Sequence, residues 1–492
     1  MAIDLLPQLA ALRLDVTSRK EILTAVQGGF GSDAAICAIS LGKYEVAVEL
    51  LEAARSVFWS QALYLRSPLD KLGHANPTLA SKLLQLSQAL EQASFRDTKR
   101  NLAADTYKRV ISIEAEGARC RLLNQEWDEV VNSVRMLPEF RDFMRPKSIV
   151  ALQRAAMHGP IVALIAGIAS CHALVIKFSG NVKCIPLAEG TTWDTINSLA
   201  QLKSGYPTRL WWCPTGPFVF LPMHAAGIYG TNTESLTDYV VSSYIPALKA
   251  LLAPTSEAPS SPDPFKMTAI IQPTTPGYPP LRWTVDELHA IREKIPNEWL
   301  TSFGTSEASV DGILPHLLTS VIVHFACHGT QDPLDPLDSA LLIGHDRLKV
   351  SQIMEKSGGL VFLSACETVM GDKQLPDEAM HLAASLLFAG FRSAVATMCK
   401  MVWAISLLVF TIFRTMSDPD GPAIAKEFYG YIFRNTDAGL DPPVLPDLSE
   451  SARALHLAVA KAAPKSSICS VGTLCPFQVL MCKNKSGCPF LP

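Results

Sequence analysis

Two short apolar runs constrain this chain more than any other feature: Val321-Ile-Val-His-Phe-Ala-Cys-His328-Gly329 and Gly359-Leu-Val-Phe-Leu-Ser-Ala-Cys366-Glu367. Each is rich in β-branched or aromatic residues and long enough for a strand buried on both faces. Each ends abruptly in a polar, reactive residue. If the two strands are parallel neighbours, His328 and Cys366 emerge at one edge, the carboxyl edge where open α/β sheets build their sites. A thiol beside an imidazole that can take its proton is the arrangement a cysteine nucleophile needs.

From Gly159 onward the pattern alternates strand and helix. PIVALIAGI and CHALVIKF have β character, with Gly180-Asn181 as a hairpin turn. A helix near 192–202, a strand at 209–213 and a further unit through Leu252 follow. Residues 254–264 (PTSEAPSSPDP) read as a polar linker. Beyond it come MTAIIQ as a strand, 283–295 as a helix, and SVIVHFAC as the strand that bears the histidine. This alternation predicts an α/β sandwich of mainly parallel strands.

His-Gly after one hydrophobic strand and Ser364-Ala365-Cys366-Glu367 after the next resemble the CHAT domain, a caspase- and separase-related family of cysteine peptidases. Asp335-Pro-Leu-Asp338-Ser339-Ala-Leu341 resembles the family segment after the histidine, and AMHLAASLLFAGFRSAVATM (379–398) its helix and strand after the cysteine. Upstream, Leu210-Trp211-Trp212-Cys213-Pro214-Thr215-Gly216-Pro217 and Phe220-Leu-Pro-Met-His224-Ala-Ala-Gly227 also match, so the likeness covers roughly 155–398. It implies a CHAT domain over 155–470 made of tandem caspase-like halves. The first, 155–252, would lack catalytic residues, and the second, 265–470, would carry them.

The resemblance transfers the role of nucleophile to Cys366 and that of base to His328. By the same likeness, the Gly329 N–H joins that of Cys366 as an oxyanion hole, and the missing side chain of Gly329 leaves approach open. The interval from His328 to Cys366 is 366 − 328 = 38 residues. That is shorter than the roughly 50 typical of caspases, and one helix and one loop could fill it. His324 falls on the strand itself and reads as a core histidine. Cys327 should point to the opposite face from His328, because side chains alternate along a strand, and is rejected as nucleophile. Asp338 and Glu367, acidic residues near the pair, either read a basic substrate side chain or are solvated carboxylates.

Residues 1–95 read as helical. Ala38, Gly42, Tyr44, Ala47, Leu50 and Ala53 follow a pattern that resembles part of a tetratricopeptide repeat, with Tyr44 and Leu50 expected in the groove between two helices. A plain helical hairpin is the alternative. A single repeat cannot bury its own faces, so this region is expected to meet degenerate neighbours, the next domain or a protein partner. A long helix is expected over 51–72 with Trp59, Leu63 and Leu65, and another from Asn76-Pro77. Residues 96–150 form a helical connector that ends at Arg145-Pro146.

The net charge of −3 shows no field for nucleic acid, and no Lys/Arg run supplies one locally. Twelve scattered cysteines without CxxC spacing, and a start (MAIDLLPQLAALRLD) unlike a secretory signal, point to a reducing, cytoplasmic setting. No cofactor or metal is expected, and the spacing of Cys469, Cys475, Cys482 and Cys488 is too wide for a zinc knuckle. The family pattern breaks at 399–415 (CKMVWAISLLVFTIFRT), which reads as inserted sequence before Ser417-Asp418-Pro419-Asp420-Gly421-Pro422 resumes. Its uncharged run is too short for a bilayer, so membrane association is not expected. Past Ala463 no closing strand is recognisable, and 471–492 reads as an atypical tail. Two functions remain: a cysteine endopeptidase acting on protein or peptide substrates and governed by its N-terminal helices, or a catalytically dead scaffold that binds proteins.

Overall fold

Small residues placed where two helices must meet set the geometry of the first part of the chain. A computed structural model describes residues 16–27, 29–55, 69–94, 106–167, 170–187, 208–228, 234–252, 265–304, 309–332, 338–353, 358–364, 382–389, 391–396, 420–440, 443–462 and 479–482, together with 3, 6 and 57. Two compact units divide between Leu152 and Gln153.

The first unit contains α1 (Val16–Gln27), α2 (Phe30–Ser40), α3 (Tyr44–Ala54), α4 (Asp70–Ala75), α5 (Pro77–Ser94) and α6 (Thr106–Arg135). α2 and α3 form a hairpin. Gly42, at φ +69°, closes α2 as the Gly42 and Lys43 N–H groups donate back to Ile39 and Ala38. The helices meet through Ala35, Ala38 and Ile39 on one side and Ala47, Val48, Leu51 and Ala54 on the other, all buried. A Cβ added to Gly31 would lie 2.8 Å from that of Ala54, which marks the closest approach. Tyr44 and Leu50, expected to fill this groove, are only half-buried. α3 stops at Ala54, where Arg55 turns extended (φ −103°, ψ 150°), so the expected helix over 51–72 is interrupted there, and most of its remainder lies outside the described residues. Trp59, Leu63 and Leu65 lie outside the described residues. The stretch Ser18–Ser40 is long and apolar enough to cross a membrane by length and composition. Gly29, at φ +94°, divides it into α1 and α2, and Leu23, Ala35 and Ile39 are buried.

Asn76-Pro77 starts α5 as anticipated. The Asn76 Oδ1 accepts from the Leu79 N–H at 3.1 Å, and proline occupies the first helical position, where its missing donor costs nothing. α6 runs antiparallel to it, with Ala80 and Leu83 packing near Val130, Val131 and Val134, and Leu90 against Leu123 and Trp127. α6 ends at Arg135, ahead of Arg145-Pro146. The Arg135 guanidinium donates to the carbonyls of Phe143 and Met144 and ties down the turn between.

The second unit holds two main sheets. The first has the order β3 (Lys183–Pro186), β2 (Cys171–Ile176), β1 (Ile161–Ala166), β4 (Thr208–Pro214), β7 (Val240–Tyr244). β1–β4–β7 are parallel and β1–β2–β3 antiparallel, with Gly180 at φ +89° in the β2–β3 connection. A small ribbon, β5 (Gly227–Ile228) with β6 (Glu234–Ser235), sits beside it in sequence. Gly159 precedes β1 at φ +138°, where an added Cβ would collide with the Arg209 carbonyl of β4. Gly159→Ala is therefore expected to lower stability by about 2 kcal/mol or more, read as a shifted urea midpoint at unchanged slope.

The second sheet runs β16 (Val479–Cys482), β15 (Ser393–Ala396), β14 (Leu360–Leu363), β10 (Ile322–Ala326), β8 (Met267–Ile271), β9 (Leu300–Phe303), parallel except for β16. β8, β10, β14 and β15 are buried residue by residue, as continuous apolar runs in a parallel sheet should be. β16 is a correction: a closing strand was not expected, yet it pairs antiparallel with β15 and lies alongside β7. α7 (Thr284–Arg292), α10 (Asp420–Ile432) and α11 (Ser451–Ala462) pack on one face, with Ile291, Ile424, Phe428, Leu455 and Ala458 in one core with strand residues Ile322 and Phe362. α8 (Val310–Thr319) leads into β10, and α9 (Leu382–Ala389) packs beside β15. The architecture is a helical region followed by an α/β caspase-like fold. The expected helix at 192–202, the linker at 254–264 and the break at 399–415 fall outside the described residues, although α10 resumes packed structure right after the break.

Candidate active site

β10 and β14 are parallel neighbours, with Ile322 opposite Leu360 and Phe325 opposite Leu363. Their carboxyl ends therefore open on one edge. Beyond β14 the ladder continues to Ser364, the last described residue here, whose N–H donates to the Phe325 carbonyl at 2.8 Å. Beyond β10 come Cys327, His328 and Gly329. Cys366 and Glu367 lie outside the described residues.

His328 is half-buried at this edge. Its Nε2 donates to the carbonyl of Pro279 at 2.8 Å, and its ring lies 5.1 Å from that of Tyr278, tilted by 33°. A carbonyl can only accept, so this contact puts the ring proton on Nε2 and leaves Nδ1 as the basic lone pair. Pro279 and Tyr278 belong to the loop after β8, held by Tyr278 N–H to the Thr275 carbonyl, Leu281 N–H to the Pro273 carbonyl and a positive φ at Gly277. Neither residue was singled out from sequence. A backbone carbonyl carries no side-chain signature, and the dense Pro/Gly spelling of TTPGYPP was the only hint of a fixed loop.

Cys327 is buried completely, and burial pushes its thiol up to about 12. It cannot supply a thiolate near neutral pH, which agrees with its rejection. His324 is buried on β10, stacked on Phe362 at 4.8 Å and 21°. The first sheet holds an imidazole–thiol pair of its own: His172 Nδ1 lies 3.7 Å from Cys184 Sγ and Nε2 lies 2.9 Å from Ser170 Oγ. Burial raises that thiol and lowers that imidazole, so the proton stays on sulfur.

The described part of the interval between His328 and β14 holds more than one helix and one loop. It folds as a β-meander of β11 (Gly329–Thr330), β12 (Ala340–Ile343) and β13 (Asp346–Lys349), then a helical turn at Val350–Ile353. Gly329 pairs with Leu341 in a non-hydrogen-bonded position, since Leu342 N–H donates to the His328 carbonyl. The Gly329 N–H is thus directed away from β12. Asp338 is bound within the meander: its carboxylate accepts from Lys349 Nζ at 2.8 Å and its carbonyl from Arg347. A basic substrate group would have to displace Lys349 to reach it.

Under this edge lies a carboxylate that sequence reading passed over. Glu287 of α7 is buried, with Oε2 accepting from Ser364 Oγ at 3.0 Å and Oε1 3.2 Å from His324 Nε2. The signal was present, because Glu287 shares the buried face of α7 with Thr284, Ala290 and Ile291.

Residues 191–404 match the family model of the CHAT domain. The chain carries a CHAT domain. The match starts beyond β1–β3 and ends inside the 399–415 stretch, and it includes β10, β14 and the loops at their carboxyl ends. The CHAT domain implies a caspase-like peptidase family. No curated protein matches the chain.

Proposed function

We propose that this CHAT domain is a cysteine endopeptidase that cuts protein substrates through Cys366 and His328. One observation carries the reading most. The register offset between β10 and β14 (360 − 322) equals the interval between His328 and Cys366, both 38 residues. Each candidate thus stands three residues beyond the last paired residue of its strand, Phe325 and Leu363. The proton placement on His328 supports the same reading. Nδ1 takes the thiol proton, and the thiolate attacks the peptide carbonyl carbon to form the C–S bond. The oxyanion is held by the N–H groups of Gly329 and Cys366. The imidazolium returns the proton to the leaving amine as the C–N bond breaks, and water then hydrolyses the thioester.

The helical unit serves as the regulatory part, binding a protein partner through a tetratricopeptide-like surface, in the cytoplasm. Free thiols on both units, Cys37 and Cys120 in the first and Cys171, Cys184, Cys213 and Cys327 in the second, support a reducing setting.

The test is mapping of iodoacetamide labelling at pH 7 together with cleavage of an unfolded protein substrate. Cys366 is expected to react ahead of the exposed Cys37, and Cys366→Ala to abolish cleavage. Labelling of Cys366 no faster than Cys37, with no cleavage, would replace this reading with that of a protein-binding scaffold.

A further inference from the structure

The edge that carries His328 is underpinned by a polar cluster drawn from three elements and from Ser364, just beyond β14. Glu287 on α7 is 2 % exposed, and His324 on β10 and Tyr429 on α10 are fully buried. Tyr429 Oη lies 2.9 Å from His324 Nδ1. His324 Nε2 faces Glu287 Oε1 at 3.2 Å, out of line for a hydrogen bond. The other oxygen, Oε2, accepts from Ser364 Oγ at 3.0 Å. The arrangement that suits every group has Tyr429 donating to Nδ1 and the ring proton on Nε2, toward the carboxylate. Gly421, in the first turn of α10, closes the cluster: a Cβ there would lie 2.9 Å from Glu287 Oε2 and 3.4 Å from Ser364 Oγ.

A buried carboxylate is costly, and a sheet core has no need of one. Among the described residues, its one outward contact is to Ser364, two residues before Cys366. Ser364 is held by its N–H on the Phe325 carbonyl and by its hydroxyl on Glu287, so both ends of its side-chain and backbone freedom are fixed.

We propose that Glu287 is a positioning residue. Through Ser364, two residues ahead of Cys366, it fixes the carboxyl end of β14, with His324 and Tyr429 holding the carboxylate in place. The inference deepens the peptidase reading and rests on it, because positioning matters only if Cys366 and His328 act as a pair.

The experiment measures the rate of Cys366 alkylation at pH 7 in the full chain for Ser364→Ala, Glu287→Gln and the double variant, with His328→Ala in parallel. Each single change is expected to slow Cys366 by about tenfold, the effect of a small misplacement of reacting groups. Because both act through one hydrogen bond, the double variant should also be slowed about tenfold rather than about a hundredfold. Cys327, buried, must stay protected and Cys37 must react at its normal rate, since general loosening would expose the first. Ser364→Ala removes only a hydroxyl, so it carries the test if Glu287→Gln does not fold. Wild-type labelling in Ser364→Ala, multiplicative loss in the double variant, or slowing accompanied by Cys327 labelling overturns the proposal. If instead His328→Ala labels at the wild-type rate, the peptidase reading itself fails.

Discussion

His328→Ala is expected to slow alkylation of Cys366 at pH 7 by about thirtyfold and peptide hydrolysis by about 10²–10⁴-fold. The first figure follows from thiolate content. A thiol left at its ordinary value near 8.5 is about 3 % ionised at pH 7, whereas one paired with an imidazole is largely thiolate. The second is larger because the imidazole also returns the proton to the leaving amine. The two effects should separate with pH. By about pH 9.5 an unassisted thiol ionises by itself, so the alkylation gap closes while the hydrolysis gap persists. Because alanine also removes the contact of Nε2 with the Pro279 carbonyl, a companion change that keeps it, His328→Gln, isolates the loss of the base. A residue that kept this contact without a basic nitrogen on the other side would leave the loop intact and still lose the base. Equal alkylation of Cys366 in both forms at pH 7 would remove the pair, whatever the fold.

The strand pair was legible because both strands are unbroken apolar runs, and a parallel pairing leaves a register that can be counted. His328 to Cys366 spans the same interval as Ile322 to Leu360, so the sequence already contained the alignment of the edge. The content of that interval was harder to read. β12 and β13 join through Gly344-His345, with Gly344 at φ +59°, a two-residue hairpin loop that the glycine between ALLI and DRLK could have signalled. Their shortness hid them. α3 offers the opposite case, where Leu51 and Ala54 follow helical spacing but Arg55 turns extended, and nothing local to Arg55 announces it. The Pro279 acceptor is a main-chain atom, so only the folded loop reveals it. Glu287 was visible in principle as an acid on an apolar helix face. Its partners are not, because His324 and Tyr429 stand 105 residues apart in the chain and meet only through packing of α10 on β10.

Acidification is expected to weaken the second unit through His224, a residue matched in sequence but given no role. His224 is buried against Tyr244, the rings edge to face at 5.8 Å and 84°. The Tyr244 hydroxyl accepts from the His224 backbone N–H at 2.9 Å and donates to Nδ1 at 2.7 Å. That leaves the proton on Nε2, which has no partner among the described residues. Burial lowers this imidazole from 6.5 to about 3. The folded chain therefore binds fewer protons here than the unfolded chain between about pH 6.5 and 3, so stability is present above that window and lost as pH falls through it. At pH 4 the loss from this one group is on the order of 3 kcal/mol. His456, also lowered by burial, acts in the same direction, so the profile of the intact protein alone cannot assign the effect. The comparison that does is with His224→Asn, whose Oδ1 stands near the place of Nδ1 and does not titrate. Urea unfolding from pH 7 to 4 should give a variant that is less stable at pH 7 and a gap that narrows by about 3 kcal/mol on the way down. Parallel profiles would mean that His224 takes its proton without unfolding, and that its pocket admits water.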